Sequence, residues 1–209
     1  MSANLVIVKY AFNQYYLSMK TTTLSIRASD GNHHPKKGAH RHDHYEILII
    51  KSGRGTHMID FDIFEVCPNQ IYFLRPRQVH EFRPNKGAQF YFIAFDKDDV
   101  LMHPSTRLNQ FEFFQSFHLT GPVVMDEVDS IIEDMIRIQT ELSQPGQLQD
   151  MLISSLVTVL LIKIKRKFSV YSKDNGIRSV PEFVRLFNQM IDDASVLYRF
   201  VKEYAADLH

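Results

Sequence analysis

The sequence predicts an α+β chain: a small antiparallel sandwich or barrel, followed by helices. Three observations point there. Between residues 45 and 95, runs of strand length recur at close intervals, at 45–51, 55–61, 63–66, 70–75, 79–83 and 88–95. Turn chemistry separates them, at Gly53-Arg54-Gly55, Pro68-Asn69, Arg75-Pro76 and Pro84-Asn85-Lys86-Gly87. After Phe95 the apolar residues recur at spacings of three and four, the period of a helix.

Size and charge narrow the function classes. A chain of 209 residues is one to two domains and long enough for a sizeable core. Its 24 basic and 24 acidic residues balance, which gives no pull toward nucleic acid or membrane and counts against a complete DNA-binding protein. The single cysteine, Cys67, cannot form an internal disulfide, which suits a reducing cytoplasm. It reads as a small core residue, because no Cys/His neighbour is placed to activate it. Leu5-Val6-Ile7-Val8 is too short for a secretory signal. Thr158 and Lys163 interrupt the most apolar run, Leu156 to Ile164, which reads as a buried helix and not a membrane span.

Taken in order, residues 1 to 20 are apolar and aromatic without clear period and read as a terminal strand or arm. Thr21 to Arg27 is rich in β-branched residues and reads as a strand, and Ser29 to Gly38 as a polar loop. The strand series follows. Asp96 to Met102 reads as a short helix, and Phe111, Phe113, Phe114 and Phe117 as a helix packed over the sheets. Asp126 is a plausible N-cap for a helix carrying Val128, Ile131, Ile132, Met135, Ile138 and Leu142 on one stripe. Gln144-Pro145-Gly146 breaks it. A second helix is expected from Gln147 to Phe168, with Leu148, Met151, Leu152, Ser155, Leu156, Val159 and Ile162 along one face. Beyond residue 155 it is apolar nearly all round, more than one sheet face would cover, so a second subunit is expected on it. Ser169 to Ile177 reads as a linker. Ser179-Val180-Pro181-Glu182 is a capping box that opens one further helix, and Asp192-Asp193 opens another.

The chemistry concentrates in His40-Arg41-His42-Asp43-His44-Tyr45-Glu46. In an extended chain, residues of one parity share a face, so His40, His42, His44 and Glu46 look one way. Imidazoles and a carboxylate are good ligands for a divalent transition metal such as Zn, Ni, Fe or Mn, and three protein ligands leave a position open. A straight strand would hold His42 and Glu46 about 13 Å apart, so a shared ion requires the chain to bend around Asp43-His44. The same residues would also serve as a hydrogen-bonded floor for a small ligand. His33 and His34 lie in the polar loop, and His103 and His118 have no identifiable partners. No Ser/His/Asp arrangement, glycine-rich phosphate loop or glycosidase-type carboxylate pair stands out.

The spacing His40-x-His42-x3-Glu46-x6-Gly53 resembles the first motif of the cupin superfamily, and Pro76-Arg77-Gln78-Val79-His80 resembles the second. The glycine expected in that second turn is absent, and Asn85 falls one residue late. With Tyr45-Glu46-Ile47 and Gly53-x-Gly55-x-His57, the pattern is more similar to the variant cupin at the N-terminus of AraC-type bacterial transcription regulators. The resemblance covers roughly residues 36 to 96.

It implies a cupin-like jelly roll over residues 1–120, dimerisation helices over 121–170, a linker at 171–178 and the start of a DNA-binding domain at 179–209. That last piece resembles the opening of a helix-turn-helix domain without its recognition helix, as in a fragment of a longer regulator. The implied function is to sense a small-molecule effector and control DNA binding, without catalysis and with no required cofactor. The alternative is a stand-alone metal-dependent cupin oxygenase or isomerase. The implied metal set is His40, His42, Glu46 and His80. The candidate ligand-binding set adds His44 and, from strand parity, Phe82, which shares a face with His80, and Tyr72, which shares with Leu74 one of two faces that parity alone does not assign to the inside. Expected partners are the effector, a second copy of the chain through helices 126–142 and 147–168, and DNA only through the missing C-terminal domain.

Overall fold

A computed structural model describes residues 6–10, 14–18, 24–30, 38–96, 111–114, 121–144 and 146–174. Strands β1 (Val6–Tyr10) and β2 (Gln14–Ser18) form a hairpin. The other eight are β3 (Ser25–Asp30), β4 (Tyr45–Ser52), β5 (Gly55–Ile59), β6 (Asp62–Val66), β7 (Gln70–Leu74), β8 (His80–Pro84), β9 (Gln89–Phe95) and β10 (Val123–Val124). They make two antiparallel sheets, one in the order β10-β7-β4-β9-β3 and one in the order β6-β5-β8. Helices α1 (Asp129–Ser143) and α2 (Gln149–Asp174) complete the α+β architecture.

The larger sheet is apolar on both faces, which explains why β4 reads as an unbroken Ile47-Leu48-Ile49-Ile50 run. Leu48 and Ile50 face the smaller sheet, together with Tyr72, Leu74, Phe90 and Phe92, and share that core with Phe82 of β8. Ile47 and Ile49 face the other way, onto a core shared with Phe73, Phe95, Phe113, Met135, Ile138, Leu160 and Phe168. Each such fully buried side chain contributes about 1.5–3 kcal/mol relative to exposure. The turn between β4 and β5 needs its glycines. Gly53 has φ +97°, and a Cβ there would stand 2.5 Å from the Ala88 Cα.

Several boundaries differ from expectation. Of the expected strand Thr21 to Arg27, residues 25–27 lie in β3, which runs on through Ser29 and Asp30, paired with Phe90 and Gln89. Helix α1 starts at Asp129 and not after an Asp126 cap. Residues 125 and 126 are still tied to the sheet: Met125 N–H donates to the Asn69 carbonyl at 2.9 Å, and the Asp126 carbonyl accepts from the Asn69 amide. Glu127 supplies the capping carboxylate instead, accepting from Ser130 N–H at 3.2 Å. Helix α2 continues past Phe168 to Asp174, so residues 171–174 are helical and not linker; Tyr171 still packs on the core there. Of the expected Phe111–Phe117 helix, the described part is a 3-10 turn, Glu112–Phe114. Apart from Asp96, the helices expected at 96–102 and beyond 179 lie outside the described residues.

Helix α2 presents two apolar stripes. Ile153, Val157, Leu160, Leu161, Ile164 and Phe168 are buried against the sheet and α1. Met151, Leu152, Val159, Ile162 and Val170 are 40–61 % exposed, and at about 100° per residue they fall within an arc of about 100°. Asp134 of α1 is buried and pairs with Lys163 of α2, which ties the two helices together. Among the described residues no helix is long and apolar enough to cross a membrane.

Candidate functional site

The two histidine segments meet through the backbone. His40 N–H donates to the His80 carbonyl at 3.0 Å, and His80 N–H donates to the His40 carbonyl at 2.8 Å. Arg77 N–H donates to the His42 carbonyl at 2.6 Å. Asp60 supports the second segment, its carboxylate accepting from Val79 N–H at 3.3 Å and from the Gln78 side chain at 3.0 Å. The chain bends at Asp43 and His44, and β4 begins only at Tyr45. That bend replaces the straight strand that would keep His42 and Glu46 apart.

His42, Glu46 and His80 converge: one ligand atom from each lies within 4.8 Å of the others. Glu46 and His80 are buried and His42 is half-buried. The His42 Nδ1 nitrogen is 2.9 Å from the His44 carbonyl. A carbonyl only accepts, so neutral His42 carries its proton on Nδ1 and keeps a bare lone pair on Nε2. His42 Nε2, Glu46 Oε1 and His80 Nε2 are all buried without a hydrogen-bond partner. Three orphaned donor atoms on the three converging residues are what a divalent ion would satisfy, so the residues present fit one.

His40 stands outside that group. It bridges to His80 by its backbone, and its Nδ1 lies 3.1 Å from the Gly38 carbonyl. His44 stacks on His42 with ring centroids 3.9 Å apart. Tyr72 and Phe82 lie on the inward face of the sheets, packed on the His57 ring at centroid distances of 4.5 and 5.5 Å. The Tyr72 hydroxyl donates to the Gln70 side chain at 2.9 Å. Arg77 pairs with Asp43 on the surface.

Sequence reasoning passed over two residues here. Arg27 of β3 lies 3.6 Å from Glu46 and over the Phe92 ring. Its signal was a charge of inward parity beside Ile26, but nothing local says which strand lies next to β3. His57, which entered only through the Gly53-x-Gly55-x-His57 spacing, is fully buried, with Nε2 3.3 Å from His80 Nδ1.

Burial governs the protonation states. It raises the Glu46 carboxyl to about 7, with Arg27 pulling the other way. It lowers His42, takes His44 down to about 4 with help from His42 and Arg27, and takes His57 down to about 3. His80 is lowered furthest, by burial and by the neighbouring imidazoles. These four rings are therefore neutral at pH 7, the form in which a histidine ligates.

A model of the AraC-like ligand binding domain matches residues 24–161, more than half of the chain. The chain belongs to that family. The matched stretch of this AraC-like ligand-binding domain begins just before β3 and ends within α2. Comparison with curated proteins gives no match. Among solved structures, the domain is similar to the AraC-like transcriptional activator CuxR, at 11% identity and TM-score 0.42, covering 80% of this chain and 57% of that one. It is similar also to a predicted oxalate decarboxylase from Thermotoga maritima, at 20% identity and TM-score 0.26, covering 28% and 53%. A cupin protein from Bacteroides fragilis matches at 20% identity and TM-score 0.31, covering 38% and 70%. The chain spans little more than half the length of the first two.

Proposed function

We propose that this AraC-like ligand-binding domain is the sensing and dimerisation part of a bacterial transcription regulator. A small polar effector, a divalent transition metal, or both, would bind at the histidine end of the two sheets. The observation that carries this reading is the set of orphaned, converging atoms on His42, Glu46 and His80. Behind His57 the space between the sheets is filled by Phe82, Phe90 and Phe92, which contact one another edge to face. A ligand therefore belongs at the mouth, against His44 and Arg27, and a large apolar effector is disfavoured.

The exposed stripe of α2 supports a homodimer. The buried faces of α1 and α2 run from that stripe to the sheet that carries Glu46, so occupancy of the mouth and the pose of the helices share one core. DNA would be bound through a domain beyond the matched stretch. Coupling of about 1–3 kcal/mol between effector and DNA suffices for regulation.

The direct test adds Zn, Ni, Fe or Mn ions, and then small polar solutes, to the purified chain and follows its melting temperature. A true ligand raises stability with its concentration, and His42→Leu removes the effect. The reading fails if nothing tested shifts melting and promoter binding by the whole regulator ignores substitutions at the mouth.

A second reading, a metal-dependent cupin enzyme, draws on the same donor set, because three protein ligands leave a coordination position open to a substrate. Turnover by the metal-loaded chain would favour it.

A further inference from the structure

The histidine pair behind the donor set carries an inference of its own. His57 Nε2 lies 3.3 Å from His80 Nδ1, and both rings are buried. The contact runs diagonally between β5 and β8, where His57 stands opposite Phe82 and Ile59 opposite His80. Tyr72 and Phe82 pack edge-on against the His57 ring and hold it in place. The remaining nitrogens, His57 Nδ1 and His80 Nε2, have no partner.

A hydrogen bond between two neutral imidazoles uses one proton, so two arrangements exist. If His57 donates from Nε2, His80 accepts on Nδ1 and carries its own proton on Nε2, which closes that atom to a metal. If His80 donates from Nδ1, its Nε2 lone pair is bare, and His57 carries its proton on Nδ1. Only the second arrangement leaves His80 able to ligate beside His42, whose Nδ1 is committed in the same way to the His44 carbonyl.

We propose that His57 is a positioning residue for His80: its Nε2 accepts a hydrogen bond from His80 Nδ1–H, fixes the ring and its tautomer, and so presents the Nε2 lone pair of His80 to a divalent ion. The inference rests on the metal reading above. A neutral imidazole draws less on the shared proton than a carboxylate in the same place would. His80 thus stays a weaker base, as suits an ion that is sensed and released.

The test uses the full chain and its His57→Gln and His57→Leu variants, titrated with zinc alone against a chelating indicator, with folding followed by circular dichroism. Glutamine keeps an acceptor where Nε2 stood, and leucine removes it. The leucine variant is expected to bind zinc about 10–100-fold more weakly, and the glutamine variant nearly as well as the parent. Nitrogen-15 spectra of the zinc-loaded parent should show both His57 and His80 protonated at Nδ1. Equal affinity in all three chains, or a His57 proton on Nε2 with zinc bound, overturns the role of His57 and leaves the metal reading standing. Absence of zinc binding by the parent overturns both. Should the leucine variant fail to fold, the nitrogen-15 spectrum of the parent decides alone.

Discussion

His40 and His80 exchange both of their backbone hydrogen bonds, at 3.0 and 2.8 Å, and this bridge, with the Arg77 N–H bond to the His42 carbonyl, joins the two histidine segments. His40 therefore sits against the site through its main chain and through its ring, 4.4 Å from the His80 ring, while the converging ligand atoms are those of His42, Glu46 and His80. The bridge works only because the segment leading into His80 is held in register. Asp60 does that from the turn between β5 and β6, with φ +54°.

Asp60→Gly keeps that backbone conformation and deletes both side-chain hydrogen bonds. It is expected to cost about 1–3 kcal/mol of stability and to weaken metal binding without touching a ligand. Urea unfolding and a zinc titration on the same variant check both. Unchanged affinity would show that the bridge holds without Asp60.

Glu46 pulls stability and function in opposite directions. Its buried Oε1 has no partner, and burial resists its ionisation. Glu46→Gln should raise the stability of the metal-free protein above pH 7 by about 1–3 kcal/mol. The same change should abolish any rise in melting temperature on adding metal. Loss of stability in chelator at pH 8 would count against this account.

The pH profile of the metal-free protein follows from opposed shifts. The His57 and His80 rings titrate far below their unfolded value, so the unfolded chain binds more protons and stability falls as pH drops below 6.5. Glu46 is raised from 4.5 to about 7, so its contribution is fully present below pH 4.5 and is lost as pH rises toward 7. Between these limits two deeply lowered imidazoles, joined by His44, outweigh one carboxyl. Melting temperature in chelator should climb from pH 5 to 6.5 and then level or dip slightly by pH 7. A steady decline from pH 5 upward would contradict the burial of the histidines.

The two stripes of α2 should separate cleanly by mutation. Val159→Glu on the exposed stripe should turn a dimer into a monomer, read by light scattering, with a folded monomer retained. Leu160→Ala, one residue further on, is fully buried and should cost about 2–5 kcal/mol whatever the oligomeric state. A Val159→Glu protein that remains dimeric would remove α2 from the interface.

Much of this was legible in the residues themselves. Alternation and turn chemistry place β4 to β9 within a residue or two, because a strand's period and its glycine and proline stops are local. The spacing of His42 and Glu46 names the donor types, and the apolar excess of α2 announces two faces. Boundaries went astray where a distant partner held the chain: Asn69 keeps residues 125 and 126 on the sheet, and the core retains Tyr171 in the helix. Tertiary structure alone decided which histidines converge, because the bend at Asp43-His44 and the bridge to His80 depend on pairing between segments far apart in sequence. It also turned Tyr72 and Phe82 inward beneath His57 and brought Arg27 beside Glu46 through β9, the strand that both neighbours share. Side-chain period is written in each segment, but which segments become neighbours is settled by closing the sheets around their core.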